Sequence, residues 1–370
     1  MIAPAFLALL AWLYLTLLHG RFWQSGPMLP VAPLTAAPPL AVVVPARDEA
    51  PLIARAVGSL LAQAYPGPLR VVLVDDNSTD GTAELTRALD DPRLTVLDGA
   101  PRPPGWAGKL WAVHQGVAAT DEELVLLTDA DIEHDPAHVA TLVAWMLESR
   151  CDMVSEMVAL HCRAPAERAL IPAFVYLFQL LYPFARVNDP LRATAAAAGG
   201  TVLIRRAALD RIGGIAAISG ALIDDVALAR AVKLGGPIWL GHSALARSIR
   251  PYPMARDIWR MVTRSAYVQL RRSLWLLAGA TVGLALVFLT APAVALFGHG
   301  AARVAGLLAW AIMAATFLPT LRRFRLSPLW APALPAIAVF YMAATLASAW
   351  DHHFGRGVQW KARAYQGSRA

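Results

Sequence analysis

Three short apolar runs in the first 130 residues each end in a burst of acids. Residues 40–44 lead into Pro45, Ala46, Arg47, Asp48 and Glu49; residues 70–74 into Asp75 and Asp76; residues 123–127 into Asp129 and Asp131. If these runs are parallel strands, six carboxylates gather at one sheet edge. Carboxylates so close repel one another unless a cation or a donor-rich ligand joins them. A divalent metal holding a diphosphate meets that need, and a set of oxygen ligands favours Mg²⁺ or Mn²⁺. Each piece alone is ordinary. The run Asp75 to Gly81 also reads as a turn and helix cap. The Asp129-x-Asp131 pair opens like a calcium loop but lacks its glycine and its closing glutamate. Order and spacing together carry the argument.

Further along, Lys109 follows a glycine-flanked turn at a helix start, where charge and dipole both suit a phosphate. It is one of only three lysines, so a solvated surface role is the bland alternative. Asp224 and Asp225 open an apolar helical stretch. They read as an N-terminal cap pair, as a general base with a tuning neighbour, or as both, because adjacent carboxylates push one pKa upward. Gly199 and Gly200 close a run of small residues that lets a substrate approach backbone. Arg260 and Arg264 lie one helical turn apart, placed either for phosphate or headgroup contact or for snorkelling from an interfacial helix. Residues 170–184 are apolar and aromatic, as a core helix or as an interfacial one guiding a lipid. His114, His134 and His242 read as isolated, so zinc is not expected. Neither a Gly-x-Ser-x-Gly elbow nor a dinucleotide fingerprint after the first strand is present.

The elements that must position these groups alternate as strand and helix from residue 40 to residue 148. This order predicts an α/β domain with a mostly parallel sheet, whose ligands sit at the carboxyl ends of strands. Around it, 57% of all residues are hydrophobic and 16% charged, against about 25% charged in soluble domains. Residues 1–257 carry 21 basic and 25 acidic side chains; residues 258–370 carry 12 basic and one acidic, Asp351. The basic excess therefore lies in the apolar last third, which points to anionic lipid and away from nucleic acid. Apolar runs at 2–18, 274–297, 302–320 and 329–350 predict an N-terminal anchor and about three C-terminal spans. Arginines flanking these runs place the middle of the chain in the cytoplasm by the positive-inside rule. Three C-terminal spans then put the basic tail outside, so either one run is re-entrant or the tail departs from the rule. Expected boundaries are an anchor at 1–20, a linker at 21–37, a catalytic domain at 38–250, an interfacial segment at 251–273, spans at 274–350 and a tail at 351–370. Two cysteines, Cys151 and Cys162, form no disulfide framework.

Taken in order, residues 43–49, 74–82, 105–109, 128–131, 199–206, 212–214 and Asp224-Asp225 resemble the family 2 glycosyltransferases of GT-A fold. The resemblance covers about residues 38–270. It implies that Pro45, Arg47 and Glu49 line the nucleotide pocket, that Asp76 contacts the base or ribose, and that Asp131 ligates the metal, with Asp129 toward ribose or metal. It implies a nucleotide-sugar donor, a UDP-sugar first, and a divalent cation, Mg or Mn. Residues 105–109 and the tail 355–363 are similar to hopanoid-associated enzymes and to membrane enzymes acting on carotenoid and other polyisoprenoid lipids, which implies a lipid acceptor at a bacterial-type inner membrane. Asp224 stands where related enzymes often carry Glu. Met261 and Ser265 replace the Gln and Trp of the processive-synthase motif, leaving only Arg264, which argues against a polymer synthase. A scaffold with a retained fold and a small transporter are the readings outside the enzyme class. The transporter lacks a buried acid or lysine in its apolar runs.

Overall fold

The computed structural model describes residues 2–354, 359–360 and 363–364. Contacts divide the chain into two compact units. Of the described residues, one comprises 27–161 and 186–250 and the other 2–26, 162–185 and 251–354. The span expected as one catalytic domain, 38–250, is thus interrupted by residues 162–185, which group with the apolar helices.

The first unit is built on one eight-stranded sheet: β1 (Leu40–Ala46), β2 (Leu69–Asp75), β3 (Leu94–Asp98), β4 (Leu124–Thr128), β5 (Ile132–His134), β6 (Met153–Ala159), β7 (Thr201–Arg205) and β8 (Ile238–Ser248). Their order is β3-β2-β1-β4-β7-β6-β8-β5. β1, β2, β3 and β4 pair in parallel, whereas β7 runs antiparallel to β4 and β6, and β5 antiparallel to β8. β6 and β8 also pair in parallel, so the sheet is mixed with four of its seven pairings parallel, in keeping with the mostly parallel expectation. The parallel half was predictable because β1 is buried throughout and most of β2 and β4 is buried with it, giving continuous apolar runs. In that half the chain moves outward from β1 to β3 and then crosses back to β4. The crevice at the carboxyl ends of β1 and β4 is therefore a topological switch point. Helices Ala50–Leu61 and His138–Ser149 contribute Ile53, Val57, Leu60, Val139, Leu142 and Met146 to the core against β1, β2 and β4.

The second unit is helical. Four helical segments are long and apolar enough to cross a membrane: Pro165–Val187, Leu274–Phe297, Gly300–Arg323 and Pro328–Phe354. The last three correspond to the expected C-terminal spans. The expected N-terminal anchor is the helix Ile2–Leu17, whose 16 residues extend about 24 Å, short of a bilayer core of about 30 Å. Ala5 packs with Val294, Ala302 and Ala305, small residues that let helix backbones approach. Polar side chains tie the bundle internally. Tyr341 Oη donates to Leu170 O at 2.8 Å, and Trp12 Nε1 to Val287 O at 2.7 Å. Buried Glu167 accepts from the backbone N–H groups of Arg163, Ala164 and Tyr252.

Candidate active site

The loops after β1 and β2 are laced together. Ser78 Oγ accepts from Asp48 N at 2.9 Å, Thr82 Oγ1 from Glu49 N at 2.8 Å, and Asp48 Oδ1 from Thr79 N at 2.9 Å. Asp48 and Asn77 hold positive φ (50° and 57°) to make these turns, a conformation that Asp and Asn tolerate better than most residues. Arg47 reaches across to Asp76, donating to its carbonyl at 2.5 Å with its carboxylate 3.6 Å away. Arg47 and Asp76, two of the residues expected at the nucleotide, thus sit together at the ends of neighbouring strands.

A second cluster holds Glu49 and Asp131. Arg250 Nη2 donates to both oxygens of Glu49 (2.6 and 2.5 Å) while its Nε donates to Asp131 Oδ2 at 3.0 Å. Ser248 Oγ donates to the same Asp131 oxygen at 3.1 Å. Arg250 was not singled out from the sequence. Its only signal was a lone arginine before Pro251, with its partner Glu49 lying 201 residues upstream.

The third cluster occupies a solvent-open cleft lined by Pro45, Lys109, Thr128, Asp129, Gly199, Asp224 and Asp225, with apolar walls from Leu110, Val113, Val202, Ile215, Ile218 and Leu228. Lys109, on the first turn of helix Gly108–Ala118, bridges Asp129 Oδ1 at 2.8 Å and Asp224 Oδ2 at 3.0 Å. It therefore ties the end of β4 to the start of helix Asp224–Lys233. Burial works against its charge, but the two carboxylates override burial and raise its pKa. Asp129 is raised by burial and by Asp131 and Asp224, with Lys109 opposing. Asp225 Oδ2 accepts from Gly199 N at 2.9 Å, and its Oδ1 from Val226 N at 2.7 Å. Burial, and then the charge on Asp224, push the Asp225 carboxyl up to about 7 despite Lys109 and the Val226 N–H. A side chain at position 199 would place its Cβ 3.3 Å from Asp225 Oδ2, so glycine permits this approach.

Asp76 and Asp131 do not line the cleft. Asp131 is electrostatically coupled to Asp129 at its edge, while Asp76 belongs with Arg47. Gly200 contributes its carbonyl, which accepts from Thr128 Oγ1 at 2.8 Å. Arg260 and Arg264 are exposed at helix Ala255–Thr263 and just beyond it, in the helical unit. The tail likeness at 355–363 lies outside the described residues apart from the backbone of 359–360 and 363. Among the described residues no three His, Cys, Asp or Glu side chains form a metal cage. Two carboxylates one residue apart on a strand-end loop instead fit a hard cation that takes its other ligands from a diphosphate.

One expectation fails. His134 is not isolated: its Nδ1 lies 2.9 Å from Nδ1 of His138, four residues on, and His138 Nε2 lies 2.5 Å from Glu156 Oε1. The spacing was visible, but the two rings fall on different elements, β5 and helix His138–Ser149.

With this geometry in place, comparison with known proteins gives a family likeness. Residues 41–213 match the model described as glycosyl transferase family 2. Over these residues the chain is similar to the family 2 glycosyltransferases. The chain is 32% identical over 140 residues to the succinoglycan biosynthesis protein ExoU of Rhizobium meliloti, covering 37% of this chain and 38% of that protein. It is 32% identical over 93 residues to a 4,4'-diaponeurosporenoate glycosyltransferase of Staphylococcus aureus, covering 25% of this chain and 24% of that protein. The matches therefore span well under half of these relatives. Among solved structures, a mannosyltransferase from Pyrobaculum calidifontis in complex with GDP-Man and Mn²⁺ superposes with a TM-score of 0.62 at 22% identity, covering 94% of this chain and 99% of that one. The GT-A-like core and the apolar helices of this chain thus share their fold with a protein solved with donor and metal.

Proposed function

We propose that this protein is a membrane-bound inverting glycosyltransferase that moves a sugar from a nucleotide-sugar donor to a lipid hydroxyl. The observation that carries this reading is Asp225, a carboxylate titrating near 7 in a cleft it shares with Lys109 and Asp129. A base must be largely ionised at working pH yet still basic enough to accept a proton. Asp225 meets both conditions, held by Gly199 N–H on one oxygen and by the start of its own helix on the other. It takes the acceptor proton as the hydroxyl oxygen attacks the anomeric carbon from the face opposite the leaving diphosphate. Asp224 keeps Lys109 in place beside it, and the Lys109 ammonium supplies positive potential at the diphosphate side of the cleft.

Pro45, Arg47, Glu49 and Asp76 form the nucleotide side in this reading. Arg250 holds Glu49 and Asp131 in register, so that Asp131, with Asp129, presents the oxygens that would hold Mg²⁺ or Mn²⁺. Such a cation, when bound, neutralises charge on the departing diphosphate. The metal in the related fold and the hard-oxygen character of this pair support that assignment.

The lipid acceptor follows from four membrane-length apolar helices on the same chain and from the partial likeness to a 4,4'-diaponeurosporenoate glycosyltransferase. A hopanoid or other polyisoprenoid is the preferred acceptor, a UDP-sugar the first donor to try, and the cytoplasmic face of a bacterial inner membrane the expected site. Membranes carrying the protein, incubated with labelled UDP-hexoses and GDP-mannose plus lipid extract, should yield a labelled lipid. The label should disappear with chelator and in Asp131→Ala. A labelled polymer in place of a labelled lipid would refute the acceptor class.

A further inference from the structure

Beneath the cleft runs a line of buried polar groups that the mechanism above does not use. Thr128, His134, His138 and Glu156 are each 3% exposed or less. Thr128 Oγ1 donates its one proton to Gly200 O at 2.8 Å, so His134 Nε2, 3.1 Å away, must donate to Thr128. Burial, and then the His138 charge, push His134 well below its usual range, which leaves it neutral with one N–H. Its Nδ1 is then an acceptor, and His138 Nδ1–H donates to it at 2.9 Å. His138 Nε2 shares the remaining proton with Glu156 Oε1 at 2.5 Å. As an ion pair or as two neutral groups, that last pair fixes the same direction for every bond above it. Glu156 Oε2 is buried without a partner, a costly arrangement in a core. A chain that is otherwise fully satisfied rigidifies what it touches.

Its upper end touches the seat of the base. Gly200 O also accepts from Asp129 N at 3.3 Å. On the other side, Ser155 of β6 accepts from Ala198 N at 2.8 Å and donates to Ala198 O at 3.1 Å. The turn Ala198–Gly200 is thus gripped from β4 and from β6, and its middle N–H, that of Gly199, meets Asp225. We infer that Glu156, His138 and His134 are positioning residues that orient the Thr128 hydroxyl onto Gly200 and so aim the Gly199 N–H at Asp225. This rests on Asp225 being the base.

The test uses the full chain in detergent, with the donor turned over from the UDP-hexose and GDP-mannose panel. Thr128→Val keeps the side-chain shape and removes only the hydroxyl. It should lower kcat 10- to 100-fold with donor KM within about twofold, and Thr128→Ser should recover most of the loss. Glu156→Leu should reproduce the kcat loss, and Glu156→Gln, whose amide N–H can supply the shared proton, should lose less. A purely structural role predicts parallel changes in kcat, KM and melting temperature, with no rescue by serine; that pattern overturns the inference, as does wild-type kcat in Thr128→Val. The base reading fails separately: it falls if Asp225→Asn keeps wild-type kcat, whatever the Thr128 variants do.

Discussion

At the residue scale the central quantity is the charge state of Asp225. Its carboxyl is raised from 3.8 to about 7, first by burial and then by Asp224. If it is the base, log(kcat/KM) should climb with unit slope up to about pH 7 and then level off. A flat profile between pH 5 and 8 would remove Asp225 from that role. Asp225→Asn should cost at least about 10²-fold in kcat, the low end of general-base catalysis. The same shift has a stability sign. A folded pKa above the unfolded one favours the folded state while the group is protonated, and that advantage is lost as pH rises from about 4 through 7. The melting temperature of Asp225→Asn relative to wild type should therefore increase across that window and stay constant above it. Arg250 makes a second residue-scale prediction. Arg250→Met removes the guanidinium from the buried Glu49 and weakens the hold on Asp131. Breaking a buried pair by removing one partner costs about 3 kcal/mol or more, so thermal unfolding of the variant should begin several degrees lower. These two residues also mark what the sequence could convey. Asp225 was legible because its neighbours in the chain announce a helix start. Arg250 was not, because its meaning lies in Glu49 and Asp131, brought beside it only by the fold.

At the element scale the same divide recurs. β1, β2 and β4 were readable because strands buried on both faces spell continuous apolar runs. β6 and β8 carry Ser155, Glu156, Gly241, His242 and Ser243 inside the sheet, all of them in buried strand positions. Polar residues there broke the pattern, and with those strands went the part of the sheet beyond β4. A hydrogen bond to His138 is the reason that one of those polar residues, Glu156, is tolerated. Helix Gly108–Ala118 shows how an element aims a residue. It lies so close to β1 and β2 that a Cβ at Gly116 would fall 2.5 Å from Val43 Cγ1 and 3.1 Å from Val74 Cγ2. Both valines are buried and β-branched, so neither yields easily. Gly116→Ala should push the helix outward, costing about 1–3 kcal/mol of stability. Because Lys109 rides on the same helix, kcat should fall as well. Full kcat with unchanged melting would mean that the helix position does not govern Lys109.

For the whole molecule, composition already said most of what matters, because membrane preference is a sum over many side chains. The apolar last third forms three of the four membrane-length helices, and protein extracted with alkaline carbonate should stay in the membrane pellet. Charge and connectivity together predict the side of the membrane. Arg271 and Arg272 precede Leu274–Phe297, and Arg322, Arg323 and Arg325 follow the start of the return at Gly300–Arg323 or lie just beyond its end. If both helices span, the chain returns to the side it left, which predicts all five arginines on one side, opposite the hinge at Gly298–Gly300. Each would favour the cytoplasmic leaflet, where anionic lipid attracts a Lys or Arg by about 1 kcal/mol. Residues 186–250 reach Arg271 without an intervening membrane-length helix, so the positive-inside rule predicts the same side for them. In sealed right-side-out spheroplasts, externally added protease should leave residues 27–250 intact; in inverted vesicles it should cleave them. Moving the charge should move the protein: replacing Arg271, Arg272, Arg322, Arg323 and Arg325 together by Gln should yield a mixed population, with part of it cleaved from the outside. Uniform protection of that variant would show that the arginines do not set the topology.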